Sequence, residues 1–404
     1  MTAAVAGGAR AGGLAPLFLV VFIALMGFGV VLPVFPFWGR ALGAEPAVIT
    51  VALGAYSLGQ FLGAPLWGRL SDRMGRRPAL LLSLVGGALA YVWMALAADI
   101  WSLGGARLLG GLMAGNIAIA FAYAGDVTTE ESRPKAMGLL GAAFGLGFIF
   151  GPAIGGLVAG ADPSAADFAR VAWVAVAITA IAALLVFVRL PESLPAQRRA
   201  ITRAAGPGPT MKSVLGSKPT VAALMLVAVL VIGSAAMMET TFALFADDML
   251  RWSPRDVGLS FGFIGAISAA LQAGAAAPLA RRFGARRVAL GGIALYAAGL
   301  LGMGLATNAI AMLAALAVTA SGVGVFNPAY QTLVAATTDD ADRGLVNGLT
   351  QGASAMGRIL GPAVSGSFYQ GLGPASPFLI GAALMAVALA VALKVGRSQA
   401  GEPA

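Results

Sequence analysis

Three ionisable residues stand alone in long apolar stretches of this chain: Arg107, Glu239 and Arg358. A charge at the centre of a bilayer costs roughly 2.5 to 3.5 kcal/mol on insertion scales, so such residues are retained mainly where they act. The carboxyl group of Glu239 could take up and release a proton. The two guanidinium groups stay charged and could bind an anion or tune a carboxylate. We therefore take these three residues as candidates for proton coupling or substrate binding.

Each of the three residues also has a purely structural explanation. Arg107 could satisfy backbone carbonyl groups of a broken helix, and Glu239 could form a static ion pair or lie at the outer membrane interface. Arg358 could extend its side chain towards the membrane surface. The sequence leaves these alternatives open.

The composition excludes several classes of protein. With 59% hydrophobic residues over 404 positions and a mean hydropathy of +0.87, the chain cannot form one soluble core with a polar surface, which predicts an integral membrane protein. Cysteine and histidine are both absent, which excludes disulfides, thiolate or imidazole metal sites and Ser-His or Cys-His catalysis. We predict that the protein is not an enzyme and needs no cofactor or metal. The net charge of +9 lies in short basic clusters between apolar runs, which favours membrane topology over nucleic-acid binding.

Apolar runs of about 20 residues recur along the chain, and each is long enough to form a helix that crosses a bilayer. They predict an all-α membrane protein with twelve transmembrane helices. A secretory signal is the alternative for the first run, but its apolar stretch is too long and no clean cleavage site follows. The predicted spans are Leu14–Phe37, Ala47–Trp67, Pro78–Ala97, Ile100–Ala124, Ala136–Gly160, Ala169–Leu190, Val221–Phe245, Val257–Ala280, Val288–Ala306, Ala309–Leu333, Leu345–Tyr369 and Pro377–Val395.

The distribution of Lys and Arg predicts the orientation. When the loops are assigned to alternate sides, most of the 26 basic residues fall on the side of both termini, which we expect to be cytoplasmic. A polar segment at 191–219 reads as a cytoplasmic linker with a Pro/Gly-rich centre. This predicts six-helix bundles at 14–190 and 220–396, tails at 1–13 and 397–404, and a chain that functions as a monomer in the lipid bilayer.

The two halves of the chain repeat each other. Residues 68–77 recur 209 positions later at 277–286, and Gly151-Pro152 recurs 210 positions later as Gly361-Pro362. Halves with six spans each have the same orientation. Such parallel repeats are typical of transporters whose substrate sites lie near the membrane midplane.

The loop between the second and third spans resembles the signature G-x-L-x-D-R-x-G-R-R of the major facilitator superfamily. Its glycines allow a tight turn and a close approach of helices. A plain basic cytoplasmic loop is the alternative. The resemblance implies a conformational latch in which Arg76 meets Asp126, at the cytoplasmic end of the fourth span, in one state of transport. The latch candidates are Gly68, Asp72, Arg73, Gly75, Arg76 and Asp126.

The fifth span contains a glycine pattern that resembles the motif of proton-coupled drug antiporters in this superfamily. Small residues spaced by four let two helices touch closely, and a proline among them removes one helical hydrogen bond and permits a bend. Ordinary small-residue packing is the alternative in a chain with 56 glycines. The motif residues are Gly147, Gly151, Pro152, Gly155 and Gly156.

The run 27–36 in the first span and residues 126–156 resemble tetracycline/proton antiporters and related twelve-span drug exporters. Those exporters carry acidic residues in spans one and three where this chain has Ala24 and Ala90. The difference argues against tetracycline as the substrate and leaves coupling to Glu239. The fourth span resembles the family pattern R-x-x-Q-G from Arg107 onwards, with Gly110 in place of the glutamine.

The resemblance implies a major facilitator fold of two pseudo-symmetric six-helix bundles in a bacterial inner membrane. It also implies antiport of protons against an amphipathic or hydrophobic small molecule such as a drug, as in antibiotic efflux. A proton-coupled uptake symporter for a small metabolite and a non-transporting receptor or scaffold are the alternatives. Polar residues that could line the transport cavity are Tyr56, Gln60, Asn116, Tyr123, Gln272, Asn327, Gln331 and Gln351.

Overall fold

A computed structural model describes residues 13–194, 219–337 and 343–399 of the chain, and within these ranges it contains helices and no strand. The predicted linker and the two tails lie largely outside the described residues. The helices of the first half are α1 (Leu14–Val31), α2 (Phe35–Ala41), α3 (Pro46–Met74), α4 (Arg76–Ala95), α5 (Ile100–Leu112), α6 (Asn116–Val127), α7 (Arg133–Ala159) and α8 (Ala165–Arg189).

The second half repeats this order with small differences in where helices break. Its helices are α9 (Pro219–Leu250), α10 (Pro254–Gly274), α11 (Ala276–Phe283), α12 (Ala285–Leu305), α13 (Ala309–Ala336), α14 (Arg343–Leu372) and α15 (Ser376–Gln399).

Eleven stretches of the described residues are helices that are long and apolar enough to cross a membrane. They correspond to eleven of the twelve predicted spans. The remaining prediction, Leu345–Tyr369, lies inside α14, a 30-residue helix whose glycine, serine, asparagine and glutamine residues lower its hydropathy. At 1.5 Å per residue α14 is about 45 Å long, which exceeds the apolar thickness of a bilayer.

Three predicted spans are interrupted in the structure. The first breaks at 32–34 between α1 and α2, the fourth at 113–115 between α5 and α6, and the eighth at Ala275 between α10 and α11. Pro33 accounts for the first break, because a proline lacks the backbone N–H that a continuous helix needs. Pro278, in the first turn of α11, accounts for the break at Ala275 in the same way, because it cannot bond to the carbonyl of Gly274. The break at 113–115 has no proline, and hydropathy alone did not predict it.

The described residues group into two compact units. One comprises the described residues within Met1–Gly43, Ala55–Gly206 and Ser253–Gly262, and the other those within Ala44–Gly54, Pro207–Trp252 and Phe263–Ala404. In the first unit α1 packs against α7 and α8, and α4 packs against α5 and α8. In the second unit α9 packs against α14 and α15, and α12 packs against α13 and α15. The same helix partners therefore recur in each unit, as the sequence repeat predicts.

Local geometry repeats as well. Gly75 and Gly284, which are 209 positions apart, precede α4 and α12 with φ of 106° and 83°. Asp99 and Asn308, again 209 positions apart, cap the N-termini of α5 and α13 with their side-chain oxygens. Such caps satisfy backbone N–H groups that have no partner within the helix. The turn glycines and the helix caps therefore occupy equivalent positions in the two halves of the chain.

Large apolar side chains also cover much of the molecular surface. Trp101 is 72% exposed and Ile310 is 81% exposed, and many leucine and phenylalanine residues on the helices are exposed in the same way. In water such a surface would favour aggregation, whereas lipid chains solvate it well. The exposed surface therefore agrees with a multi-pass membrane protein.

Candidate functional site

Arg107 lies in α5 with only 3% of its surface exposed. Its guanidinium carbon is 4.6 Å from the ring centre of Tyr56, 5.3 Å from that of Phe28 and 6.0 Å from that of Phe35. We call these three rings, which come from α3, α1 and α2, the aromatic cage. Arg107 takes part in none of the ion pairs among the described residues, and its Nε atom has no hydrogen-bond partner. Cation–π attraction is therefore the main stabilising contact that the structure shows for this charge.

A cavity of about 40 Å³ adjoins the aromatic cage inside the first unit. Tyr56 and Phe28 of the cage form part of its wall, and Gly110, one helical turn beyond Arg107, forms another part. The polar residues of the lining are Tyr56, Ser83, Tyr91, Asn116 and Thr179. Tyr56 and Asn116 were among the predicted cavity residues. The other three were not, because they lie on α4 and α8 without a distinguishing pattern in the sequence.

Ala24 and Ala90 are the positions at which the resemblance implies acidic residues, and both lie at or near the cavity. Ala24 lines the cavity. Ala90 is buried, and its Cβ lies 3.6 Å from the place where a side chain at Gly110 would begin. Neither position therefore places a carboxyl group at the cavity.

Glu239 lies in α9, eleven residues before the last residue of that helix, which corresponds to about 17 Å along the axis. Its position in a long apolar stretch predicts a buried carboxyl group, but its side chain is exposed, whereas Met238 and Thr240 are buried. Successive residues of a helix point in different directions, so a polar side chain can lie on the uncovered face of a helix that is otherwise packed. Glu239 thus lies on an exposed face of its helix and far from the helix end.

Arg358 is exposed on α14, and its positive charge is close enough to act on Glu239. Neither residue takes part in an ion pair among the described residues. Tyr296 of α12 is also within electrostatic range of Glu239, and its buried hydroxyl has no hydrogen-bond partner. The second unit therefore brings two of the three predicted charges into one neighbourhood.

Residues 68–77 do not form the predicted loop. The α3 helix continues to Met74 and α4 begins at Arg76, so only Gly75 lies outside a helix. The loop was misplaced because the apolar run ends at Trp67, whereas the helix continues beyond it into a polar end. Gly75 has the left-handed φ of 106° that the turn requires. At Gly68 no atom lies within 4 Å of an added methyl group, so the close helix approach predicted there was wrong.

The side chain of Arg76 joins α3 to α6. Its Nε donates a hydrogen bond to Asp126 Oδ2 at 2.9 Å, and its Nη1 donates to Asp72 Oδ1 at 2.6 Å and to Ser71 Oγ at 2.7 Å. The contact between Arg76 and Asp126 that the family resemblance implies is therefore present in this structure. Arg73, the other arginine among the latch candidates, is exposed.

Two residues that sequence analysis missed reinforce this network. Glu192 accepts hydrogen bonds from the backbone N–H groups of Arg76 and Arg77 at 2.9 and 3.2 Å, and Ser193 Oγ donates to Asp126 Oδ2 at 3.2 Å. A carboxylate at the start of α4 is favoured because the first N–H groups of a helix lack partners and carry partial positive charge. The separation of more than 110 residues left no sequence signal for this contact.

The glycine motif of α7 packs against α1. A methyl group added at Gly147 would lie 2.7 Å from Leu25 Cβ, and one added at Gly151 would lie 2.7 Å from the carbonyl oxygen of Met26. At Gly155 it would overlap the carbonyl group of Val30. Gly156 faces the first turn of α10 instead. The four-residue spacing thus makes a continuous contact with α1.

The other predicted cavity residues are dispersed. Tyr123 is fully buried and donates its hydroxyl to the carbonyl oxygen of Pro191 at 2.9 Å, so its role is packing rather than lining a cavity. Gln60 and Asn327 are half-buried and do not line the cavity beside Arg107. The exposed residues of this group are Gln272, Gln331 and Gln351.

Comparison with known proteins agrees with this architecture. The profile of the Major Facilitator Superfamily matches residues 17–277 and 250–404. The tetracycline resistance protein of class C from Escherichia coli is 33% identical over 375 residues, covering 90% of this chain and 92% of that protein. Multidrug resistance protein 2 from Bacillus subtilis is 28% identical and covers 92% of each chain.

Solved structures show the same fold. The human organic anion transporter MFSD10 (TETRAN) is similar with a TM-score of 0.71 and 24% identity, over 95% of this chain and 99% of that one. The nucleoside transporter NupG is similar with a TM-score of 0.75 and 13% identity, over 95% and 98%. The predicted all-α membrane fold is confirmed, and the related proteins are transporters and not enzymes. On the family profile and the 33% identity together, this chain belongs to the Major Facilitator Superfamily and is one of its multi-pass membrane transporters.

Proposed function

We propose that this transporter exports an amphipathic or hydrophobic small molecule in exchange for protons, by alternating access, across a bacterial inner membrane with both termini in the cytoplasm. One observation carries the proposal. Among the acidic residues in the described part of the chain, Glu239 alone lies in the middle of a membrane-length helix, and its side chain is on a face that no other helix covers. A carboxyl group in that position is able to exchange a proton during transport.

The neighbourhood of Glu239 supports this role. The charge on Arg358 is close enough to act on the carboxyl group of Glu239. A change in the separation of the two groups during transport would load or release a proton. Moving one elementary charge through 100 mV is worth about 2.3 kcal/mol, which could maintain roughly a 40-fold gradient of a neutral substrate.

The names of the related proteins support a drug as the substrate. Tetracycline resistance proteins and a multidrug resistance protein are similar over about nine-tenths of the chain. Ala24 and Ala90 replace the acids expected from the tetracycline exporters, so we propose a substrate other than tetracycline. Coupling in this chain then depends on Glu239 in the second half.

Two other features would act in the conformational cycle. They are the polar cluster around Arg76 and the contact of the α7 glycines with α1. Because the bonds from Arg76 to Asp72 and Asp126 join α3 and α6, the cluster can act as a latch that holds one state of the cycle. The contact between α7 and α1 excludes side chains at Gly151 and Gly155, which lets the two helices stay in close register.

Transport by purified protein in liposomes tests the coupling. With an imposed pH gradient, wild-type protein is expected to accumulate a fluorescent amphipathic dye such as ethidium and to release protons in step with dye entry. Glu239→Gln should abolish proton-coupled flux, whereas Glu239→Asp should retain part of it because it keeps a carboxyl group. Glu130→Gln, which neutralises an exposed carboxylate outside the helices, serves as the matched control.

Undiminished proton-coupled flux in Glu239→Gln would overturn the coupling role. If the dye and protons moved in the same direction across the membrane, the protein would be a symporter and not an antiporter. Binding of compounds without any flux would favour the receptor or scaffold alternative. Tetracycline is included in the same panel, and robust transport of it would contradict the proposed substrate range.

A further inference from the structure

Exposed cations gather in the second unit, where the end of α11, the start of α12 and the last turns of α15 come together. We call this group the basic patch, and its members are Arg281, Arg282, Arg286, Arg287 and Lys394. We propose that the basic patch binds the headgroup of an anionic phospholipid. This site is independent of the proton-coupling role of Glu239, because it lies at helix ends, whereas Glu239 lies in the middle of α9.

One hydrogen bond and one tight turn bring the cations together. Arg286 Nη2 donates to the carbonyl oxygen of Leu393 at 2.9 Å, so the start of α12 lies beside the residue that precedes Lys394. Gly284, with φ of 83°, is the single residue between α11 and α12. The two arginines in the last turn of α11 are therefore held close to the start of α12.

The charges of the basic patch are not paired with acidic side chains. None of its residues takes part in an ion pair within the described part of the chain. The contacts of its side chains there are the bond from Arg286 to Leu393 and the position of the Arg282 guanidinium carbon, 5.3 Å from the ring centre of Phe283. An arginine has five N–H donors in a planar fork that matches a phosphate group. Most of the donors of the patch thus remain available to a phosphate.

The contact that positions Arg286 has a counterpart in the first half. Arg77, which is 209 positions earlier, donates through Nη2 to the carbonyl oxygen of Phe187 at 2.6 Å. In both halves an arginine at the start of the third predicted span therefore binds the backbone near the end of the sixth. The repeat has kept this arrangement of a cation at the helix ends.

The latch of the first half has no counterpart in the second. Asp72 pairs with Arg76 at 2.6 Å, but the residues 209 positions later are Arg281 and Ala285. The second half therefore has a cation where the first half has an acid, and it lacks the latch arginine. A latch does not explain this added positive charge, whereas an anion from outside the protein would offset it.

The surroundings of the basic patch favour a lipid over a soluble anion. Leu393 is 47% exposed and Phe283 is 46% exposed, and each adjoins a cation of the patch in the sequence. The apolar part of α12 begins at Val288, directly after Arg287, so the patch lies where the helix leaves the apolar layer of the membrane. At that level apolar side chains contact acyl chains, and basic side chains reach lipid phosphates.

Native mass spectrometry of the full-length protein in a neutral detergent tests lipid binding. The protein is titrated with phosphatidylglycerol and, separately, with phosphatidylcholine that has the same acyl chains. Phosphatidylglycerol should bind saturably and with a lower Kd, by at least about fivefold, because each basic residue near an anionic headgroup contributes roughly that factor. Inorganic phosphate at the same concentration should not displace it, because phosphate has no acyl chains.

Variants locate the bound lipid. Arg281→Gln combined with Arg282→Gln removes two exposed cations and should raise the Kd for phosphatidylglycerol about 25-fold, which is about fivefold for each cation. The matched control is Arg133→Gln combined with Lys135→Gln, which removes two exposed cations at the start of α7. This control should leave the Kd unchanged. Binding of phosphatidylcholine should be the same in both variants.

An unchanged Kd for phosphatidylglycerol in the Arg281/Arg282 variant would overturn the proposal. An equal loss of affinity in the control would do the same, because binding would then follow the net charge of the whole protein. Displacement by inorganic phosphate at equal concentration would show a site for a soluble anion instead of a lipid.

A second pair of substitutions keeps the test decisive if the first variant does not fold. Arg287→Gln combined with Lys394→Gln removes two other cations of the patch and should raise the Kd by the same factor. An unchanged Kd in this pair would also contradict lipid binding by the basic patch. Lipid binding is measured without transport, so its failure is distinct from a failure of the proposed proton coupling.

Discussion

The guanidinium carbon of Arg107 lies 4.6 Å from the ring centre of Tyr56, the shortest of the three contacts between this charge and the aromatic cage. A cation above a ring is stabilised by about 0.5 to 2 kcal/mol, with the larger values where water is excluded. Aromatic faces thus provide part of the stabilisation that a carboxylate would provide elsewhere.

This contact predicts a measurable coupling between Arg107 and Tyr56. Tyr56→Leu and Tyr56→Phe both remove the hydroxyl, but only the first removes the ring, so Tyr56→Leu should destabilise the fold more, by about 1 kcal/mol. In an Arg107→Met background the difference between the two Tyr56 variants should shrink. Unfolding free energies in detergent measure the cycle, and an unchanged difference would show that the ring stabilises the fold without involving the cation.

The bond from Arg76 to Asp126 predicts a second coupling. A double-mutant cycle with Arg76→Gln and Asp126→Asn should give an interaction free energy of about 1 to 3 kcal/mol, because both partners are largely shielded and the hydrogen bond is charge-assisted. Arg73→Gln combined with Asp126→Asn is the control, since Arg73 is exposed. If both cycles gave the same interaction free energy, the coupling would come from the local electric field and not from the contact between Arg76 and Asp126.

The contact of Gly155 with Val30 predicts a steric effect. Gly155→Ala should destabilise the protein by about 1 to 3 kcal/mol, because the added methyl group overlaps backbone atoms of α1 that cannot move independently. Gly141→Ala lies in the same helix with open space around the added methyl group. It should be neutral or stabilising by up to about 1 kcal/mol, as is usual for Gly→Ala in a helix. Thermal unfolding of the two variants side by side checks the difference.

The turn between α3 and α4 predicts a backbone effect. At Gly75 the dihedral angles are φ 106° and ψ 160°, a region that residues with a side chain rarely adopt. Gly75→Ala should therefore cost about 1 to 3 kcal/mol and weaken the hydrogen bonds of Arg76. Gly68→Ala, seven residues earlier within α3, should not destabilise the protein. Equal unfolding temperatures for both variants would contradict the strain argument.

Most helices lie within a few residues of the predicted spans, because hydrophobic runs of membrane length are a strong local signal. The repeat predicted equivalent turns such as those at Gly75 and Gly284. The predicted bounds are wrong where the end of an apolar run does not coincide with the end of a helix. The extension of α3 to Met74 is the main example, because a helix continues into water when its polar end is stabilised by contacts such as those of Asp72 and Arg76.

The candidate sites divide in the same way. Sequence alone singled out Arg107, Glu239 and Arg358, because a charge within an apolar stretch is visible without any knowledge of the fold. Only the tertiary structure showed that Glu239 lies on an uncovered face of its helix and within range of Arg358. Hydropathy records how many apolar residues a helix has but not which side its neighbours cover.

The order of residues alone is enough to establish the membrane-spanning class, the twofold repeat and the isolated charges of this protein. The packing of the helices sets what surrounds each charge: an aromatic cage at Arg107, Glu192 and Ser193 at the Arg76 cluster, and an exposed face at Glu239. These partners lie on different helices, many residues apart. Their distances depend on how side chains of several helices fill a common volume, which residue order along one helix does not encode.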